Sequence, residues 1–211
     1  MHPYLTRLGV RPEVQQFFRP FYEADDIGNL LFAYGGDWEH FGFAFHKIPM
    51  TDSFWMAGNL QFEQVRLVVL CASALDAVSW LNKKLNIFPQ LENMLFLSLG
   101  AGINDGKLLF LREHLAGKQY RLLFGNDLLG RMADLKLAAA IRGWPLLLYL
   151  AEKQQLIVEF RGRQFTFSQE HFSLFAFEKA ARIRFGVATD KPKSLNTFFD
   201  ELKAGAGLLN Y

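Results

Sequence analysis

Cysteine is almost missing: Cys71 stands alone in 211 residues. A single thiol excludes an intrachain disulfide framework and a cysteine-rich zinc site, and it suits a reducing compartment. Net charge is nearly missing too, since 23 Lys and Arg face 21 Asp and Glu. No global field therefore draws the chain to nucleic acid or to an anionic membrane, and such binding would have to come from a local patch. Long apolar runs are absent: "PLLLYL" is far short of the roughly 20 residues a membrane helix needs, and "MHPYLTRLGVRPE" has no apolar signal core. There is no repeat, low-complexity tract or Ser/Gly linker. These absences lead us to expect a soluble cytoplasmic protein with no membrane partner. Core-forming material is abundant, with 51% hydrophobic residues and 22 Phe. The length suits one domain, or one domain with a small attachment.

Residues 3–22 hold two short helical candidates, the second opened by Pro12, whose missing N–H costs nothing in a first turn. "NLLFAYGGDWEHFGFAFHKIP" reads as two strands around a Gly35-Gly36 turn, with Phe41, Phe43 and Phe45 alternating with Gly42 and Ala44. "SFWMAG" is expected to add a third strand to this antiparallel front end. At Val65 the pattern changes. "VRLVVLC" is a near-continuous apolar run, as in a strand buried on both faces. Ser73 and Asp76 form a capping box for a helix to about Leu85. "MLFLSLGAG" is the next strand, followed by a helix over Asp105 to Leu115. "YRLLFGND" is a third strand, followed by a helix over Leu128 to Ile141, and "WPLLLYL" is a fourth strand. Strands alternating with helices imply parallel pairing and right-handed crossovers. In the tail, "QLIVEFRGRQFTF" reads as a hairpin around Arg161-Gly162. Ser168 would cap a helix carrying Phe172, Phe175, Ala176, Ala180 and Ile183 at helical spacing. Ser194 would cap a last helix ending near Leu202.

Ligands of parallel α/β sheets bind beyond the carboxyl ends of the strands. Three such ends are visible: "CAS" at 71–73, "GAGIN" at 100–104 and "GND" at 125–127. "LCASALDAVSWL", "LSLGAG" and "LLFGNDLLGRMADL" together resemble the toprim domain of primases, topoisomerases and related nucleases. The likeness is greatest to the toprim proteins of bacterial mobile and mobilisation elements. "YLTRLGVRPEVQQFF" is similar to the helical lead-in of primase-like proteins, "GNLLFAY" to the strand after it, and "KPKSLNTFFDEL" to the closing K-D-x-N-x-x-L element. The resemblance implies an α/β fold: a toprim-like, Rossmann-type, mainly parallel four-stranded sheet flanked by helices. Residues 1–60 would be the helical and antiparallel lead-in, and 61–211 the toprim-like domain with a hairpin–helix insertion at about 153–186.

Toprim chemistry, as the resemblance implies it, needs a glutamate after the first strand and an Asp-x-Asp pair after the third. Carboxylates at i and i+2 face the same way on a strand and can hold Mg²⁺ against a phosphate. Here the glutamate position falls on Ala72, the first aspartate on Gly125 and the closing aspartate on Ser194. Ser73, Gly100, Gly102, Asn126, Asp127, Lys193 and Asn196 remain of the pocket. Asp127 is the one candidate Mg²⁺ ligand, and it serves equally as an acidic group at a helix N-terminus. We therefore expect a catalytically degenerate protein with no cofactor and no catalytic residue, unless Glu39, Glu63 or Asp105 reaches the pocket. The alternatives are a remodelled Mg²⁺-dependent phosphoryl-transfer or nuclease site using Asp127, Asn126 and Asn196, and a pure protein-interaction module.

Other residues have plainer readings. Cys71 has no base near it in sequence and reads as a small buried hydrophobe rather than a nucleophile. His40 and His46 could share a strand face, but nothing in the spacing completes a zinc site. "GAGIN" could cradle a phosphate or could serve close backbone packing. Arg161, Arg163, Lys179, Arg182, Arg184 and Lys191 make the tail locally basic, with Phe165, Phe167 and Phe185 among them. Basic groups beside aromatic rings can track a nucleic-acid strand, although Glu159, Glu170 and Glu178 dilute the patch. The expected partner is nucleic acid or a replication or mobilisation protein.

Overall fold

A computed structural model describes residues 1–42, 45–152 and 154–208. Helices α1 (Pro3–Arg7) and α2 (Pro12–Phe18) lead into β1 (Glu23–Ala24), β2 (Leu30–Tyr34), β3 (Asp37–Gly42) and β4 (Phe45–Lys47). Proline opens both helices. The four strands form one antiparallel sheet in the order β1-β2-β3-β4. Tyr34 faces Asp37 across the two-residue Gly35-Gly36 turn, and Gly35 supplies the positive φ such a turn requires. Phe43 and Ala44, part of the expected aromatic alternation, lie outside the described residues.

The central sheet follows. It comprises β5 (Trp55–Gly58), β6 (Leu67–Cys71), β7 (Met94–Ser98), β8 (Gln119–Leu122) and the late β12 (Ala188–Thr189), in the order β12-β8-β6-β7-β5. The first four in that order pair parallel, and β5 pairs antiparallel with β7 at the edge. Helices α3 (Ala74–Lys84), α4 (Asp105–His114) and α5 (Leu128–Ile141) follow β6, β7 and β8. The chain is thus a mixed α/β protein with a mostly parallel sheet beside two antiparallel ones. The "SFWMAG" strand belongs to the central sheet, not to the antiparallel front end, because Trp55 to Gly58 align with Ser98 to Leu95 of β7.

The fourth parallel strand is β12, not "WPLLLYL". The latter is β9 (Leu146–Ala151), which joins β10 (Gln155–Phe160) and β11 (Arg163–Ser168) in a separate antiparallel sheet. Only a short turn separates β9 from β10, which permits direct reversal and leaves no room for a parallel crossover. This attachment, with α6 (Leu174–Ala181), therefore starts at Leu146 and not near 153. The α6 cap is Ser173, whose hydroxyl accepts from Ala176 N–H; Ser168 instead contacts His171 in the preceding turn. The last helix, α7 (Phe198–Gly205), is capped by Thr197 and not by Ser194, whose N–H and hydroxyl both donate to Glu201.

The expected lead-in does not pack by itself. Leu5, Val14 and Phe18 of the first helices, and Phe32 and Tyr34 of β2, share one core with Trp55, Val69, Trp80, Phe96 and Phe199. A second core lies on the other face of the central sheet, between Leu70, Leu97 and Leu122 and the helices α4 and α5. A third joins α5 and α6 to the hairpin through Leu135, Phe160, Phe172, Phe177 and Phe185. Most of the Phe-rich composition is spent on these three interiors. Among the described residues no helix is long and apolar enough to cross a membrane.

Candidate functional site

The carboxyl ends of β6, β7 and β8 are where a ligand of such a sheet would sit. At the first, Ser73 caps α3, accepting from Asp76 N–H at 3.1 Å. Beside the half-buried Ala72, a carboxylate does arrive, but from another part of the chain. Glu39 of β3 is fully buried, and its Oε2 accepts from Ala74 N–H, the first amide of α3, at 2.8 Å. The same oxygen accepts from the Tyr34 hydroxyl at 2.6 Å, and Oε1 lies 2.8 Å from His46 Nε2. Tyr34 Oη is also 2.6 Å from Ser98 Oγ at the end of β7. Of the three acids that could have reached the pocket, Glu39 does; Glu63 and Asp105 are exposed elsewhere. An anion at a helix N-terminus is favoured by the amide dipoles, so this end already holds one.

His40 and His46 do not share a face. Phe41 is the partner of His46 across β3–β4, so His46 points inward with Glu39, and His40 points outward near Asp25. His46 lies edge-on to Phe41 and Phe199, at ring separations of 5.4 and 5.5 Å. Cys71 is fully buried, and that burial pushes its thiol up, the opposite of an activated nucleophile.

The glycine turn after β7 is covered by the segment Pro49–Asp52. Ala101 N–H donates to Pro49 O at 2.8 Å, and a Cβ at Gly100 would come within 2.6 Å of that carbonyl. Gly100 is thus held to glycine by its positive φ and by close approach of the chain itself, not by a phosphate. A Cβ at Gly102 would meet only the Met50 sulfur. Lys107, which the sequence did not single out, is almost completely buried beneath this turn. Its ammonium donates to Thr51 O at 2.6 Å, Gly102 O at 2.9 Å and Leu99 O.

At the end of β8, Asp127 is the cap of α5: its Oδ1 accepts from Gly130 N–H at 2.7 Å. Gly130 must be glycine, since a Cβ there would fall 2.1 Å from Gly125 O. Asn126 N–H donates to Asn196 O at 2.9 Å, and a Cβ at Gly125 would lie 3.3 Å from that same oxygen. A side chain at 125 would thus be crowded by the chain itself. Lys191 enters beside these groups. Its ammonium donates to Phe124 O at 2.8 Å and Gly125 O at 2.9 Å, and pairs with Asp134 Oδ2 at 2.6 Å. Burial holds its pKa below the usual lysine range, and burial pushes the Asp134 carboxyl up to about 6 despite the ammonium beside it. Lys193 is not with them: it lines a groove between α3 and α7 with Lys83 and Glu201, and its N–H donates to Glu201.

The basic tail residues are split. Lys191 is half-buried at the strand end just described. Arg161 and Arg163 flank the hairpin tip, with Arg161 4.6 Å from the Trp144 ring centroid and 5.0 Å from that of Phe160, and Arg163 5.0 Å from Phe165. Arg161 has a left-handed backbone, φ 51°, ahead of Gly162 at 71°. Such a turn prefers Asn-Gly, and the left-handed conformation costs a residue like arginine roughly 1 kcal/mol. Exposed Lys179 and Arg182 sit at the end of α6, and Arg184 pairs with Glu178 at 2.8 Å. Trp144 packs against Phe185, linking the hairpin tip to the Arg184 segment, and Arg142, absent from the sequence reading, donates to Phe185 O beside it.

Asp76 ties this region to the last helix. Its Oδ1 accepts from Phe199 N–H at 3.0 Å and its Oδ2 from the Ser73 hydroxyl at 3.1 Å. Burial nonetheless pushes its carboxyl up to about 6 from 3.8, with the neighbouring Glu39 adding to the rise. Because the folded pKa lies above the unfolded one, the folded state binds the extra proton between these values. The contribution is full below about pH 4 and is lost as pH rises through about 6. Asp76→Asn keeps an acceptor for Phe199 and removes the titration. Urea unfolding of both proteins should show the variant gaining about 1–3 kcal/mol relative to wild type between about pH 4 and pH 7. A constant difference across that range would show that Asp76 does not titrate there.

Among the described residues no three His, Cys, Asp or Glu side chains come together as a metal-holding group. No protein-family model, curated protein or solved structure matches the chain.

Proposed function

We propose that the chain is a catalytically degenerate toprim-like protein that binds nucleic acid, in the setting of replication or mobilisation, through the arginine-flanked hairpin tip. One observation carries the non-catalytic half of this reading: each strand end that would meet a ligand is satisfied by the chain itself. Glu39 does reach the amide end of α3, but it is fully buried there and spent on Ala74, Tyr34 and His46; Pro49 and Lys107 close the glycine turn, and Lys191 fills the oxygen-lined space after β8. Asp127 is spent on its helix cap. The order β12-β8-β6-β7 supplies a parallel frame of the kind the resemblance implies, with its acids replaced.

The nucleic-acid half rests on Arg161. An arginine stands where asparagine would fit the backbone better, and it is held over two aromatic rings. Cations stacked beside aromatic groups suit a phosphate backbone and its bases. Fluorescence anisotropy of labelled single- and double-stranded DNA should show binding that weakens with salt and ignores Mn²⁺. Arg161→Asn together with Arg163→Ala should lower the log–log salt slope by about 2, with the fold intact. Binding that needs Mn²⁺ and is lost in Asp127→Ala would sink the non-catalytic reading. Absence of binding even at low salt would sink the nucleic-acid reading and leave the protein partner.

A further inference from the structure

The strand β9 is the outer edge of its sheet, and its six residues carry no charge and no proline. One side pairs with β10 along the full length. On the other side, none of its N–H or C=O groups has a hydrogen-bond partner among the described residues. Native proteins shield such edges with charge, proline or a bulge; the opposite edge, β11, opens with Arg163. Side chains on both faces of β9 are exposed, Leu147 by 63% and Tyr149 by 38% on one and Leu150 by 56% on the other. A missing layer would bare one face only. Exposure on both faces marks a missing neighbour in the plane of the sheet.

We infer that two copies of this chain pair antiparallel through β9, about a twofold axis at Tyr149, fusing two three-stranded sheets into one of six. Self-pairing is isologous, so one register fixes every contact. Centred on Tyr149, it sets Leu150 beside Leu148 of the second copy and Leu147 beside Ala151. It also brings Glu152 opposite Leu146 of the second copy. That is the end where Leu146 pairs with Phe160 and where Arg161 lies over Trp144. An acidic residue therefore approaches a basic one twice, once on each side of the axis. A register centred on Leu148 would instead set Pro145, which has no N–H, opposite Ala151 within the ladder. An uncharged strand offers nothing to a phosphate backbone or a charged peptide, but it matches another uncharged strand of equal length.

Sedimentation of the full chain across micromolar concentrations, without nucleic acid, should give twice the chain mass. Leu150→Lys, which alters an exposed side chain, should give one chain mass with an unchanged circular dichroism spectrum. Glu152→Arg or Arg161→Glu should each weaken the dimer by about three- to tenfold, and the double exchange should restore it. A single chain mass for wild type at every concentration, or a dimer indifferent to Leu150→Lys, overturns the pairing. A dimer lost with Leu150→Lys but not restored by the double exchange overturns the Tyr149 register. Because nucleic acid is absent, neither result depends on what the hairpin tip binds.

Discussion

Glu39→Ala should lower the melting temperature by about 10 °C, and Glu39→Gln by less than half as much. The carboxylate is fully buried and serves three groups at once: Ala74 N–H, the Tyr34 hydroxyl and His46. Alanine strips all three of their partner and opens a space between β3 and α3. Removing one member of a buried charged cluster costs about 3–5 kcal/mol, because the groups left behind stay out of water. Glutamine preserves the shape. Its carbonyl oxygen can still accept from Ala74 and Tyr34, and its amide can donate to His46 if the ring proton moves to Nδ1. Thermal unfolding of wild type and both variants separates the two costs. If alanine proved as mild as glutamine, Glu39 would not be the group that joins the front sheet to the α3 terminus.

That carboxylate was half legible in the sequence. The strand ends at 72 and 125 could be seen to lack a carboxylate of their own, and the Ser73–Asp76 cap could be read from spacing alone. Glu39 stood among three acids that could reach the pocket. Its placement depends on how β3 folds over the junction, which only long-range packing decides. A signal was present: Glu39 alternates with Phe41 on a strand whose partner reads Leu30, Phe32 and Tyr34, all inward. An acid in phase with an apolar face is a buried acid, and a buried acid needs partners. Lys107 carried a weaker signal, lying one turn into α4 with Leu111 on the same face.

The fold was legible where local pattern and burial agree. The buried strands Leu67–Cys71 and Met94–Ser98 announced themselves as apolar runs, and α5 was bounded correctly at Leu128 and Ile141. The misplacement of "WPLLLYL" shows the limit. An apolar run of six residues fits a central parallel strand and a bare antiparallel edge equally well, because periodicity reports burial and not partners. The true fourth parallel strand, Ala188–Thr189, is two exposed residues with no apolar pattern. Its place is set instead by its neighbour Asp190, which pairs with Arg121 at 2.7 Å and accepts from Trp80 Nε1 at 2.7 Å.

Lys191→Met should destabilise the protein by about 3–5 kcal/mol at about pH 8 and by much less at about pH 5. The ammonium answers three oxygens, and one of them belongs to Asp134, a carboxylate whose other oxygen is buried with no partner among the described residues. Burial already pushes that carboxyl up to about 6 with the lysine in place. Without the cation it rises further, so the folded state prefers the neutral acid over a wider range. Stability in the variant is therefore retained at low pH and lost as pH climbs through the raised value. Lys191→Met combined with Asp134→Leu removes both charges and should recover most of the loss, since a well-filled apolar pair can replace a buried ion pair. Urea denaturation of wild type, single and double variants at the two pH values checks each step. Loss that is equal at both pH values would place the cost in the Phe124 and Gly125 carbonyls and not in Asp134. Loss with no rescue by the double variant would mean that the lysine positions the Gly125–Asp127 turn in its own right, through the Phe124 and Gly125 carbonyls and not through the ion pair.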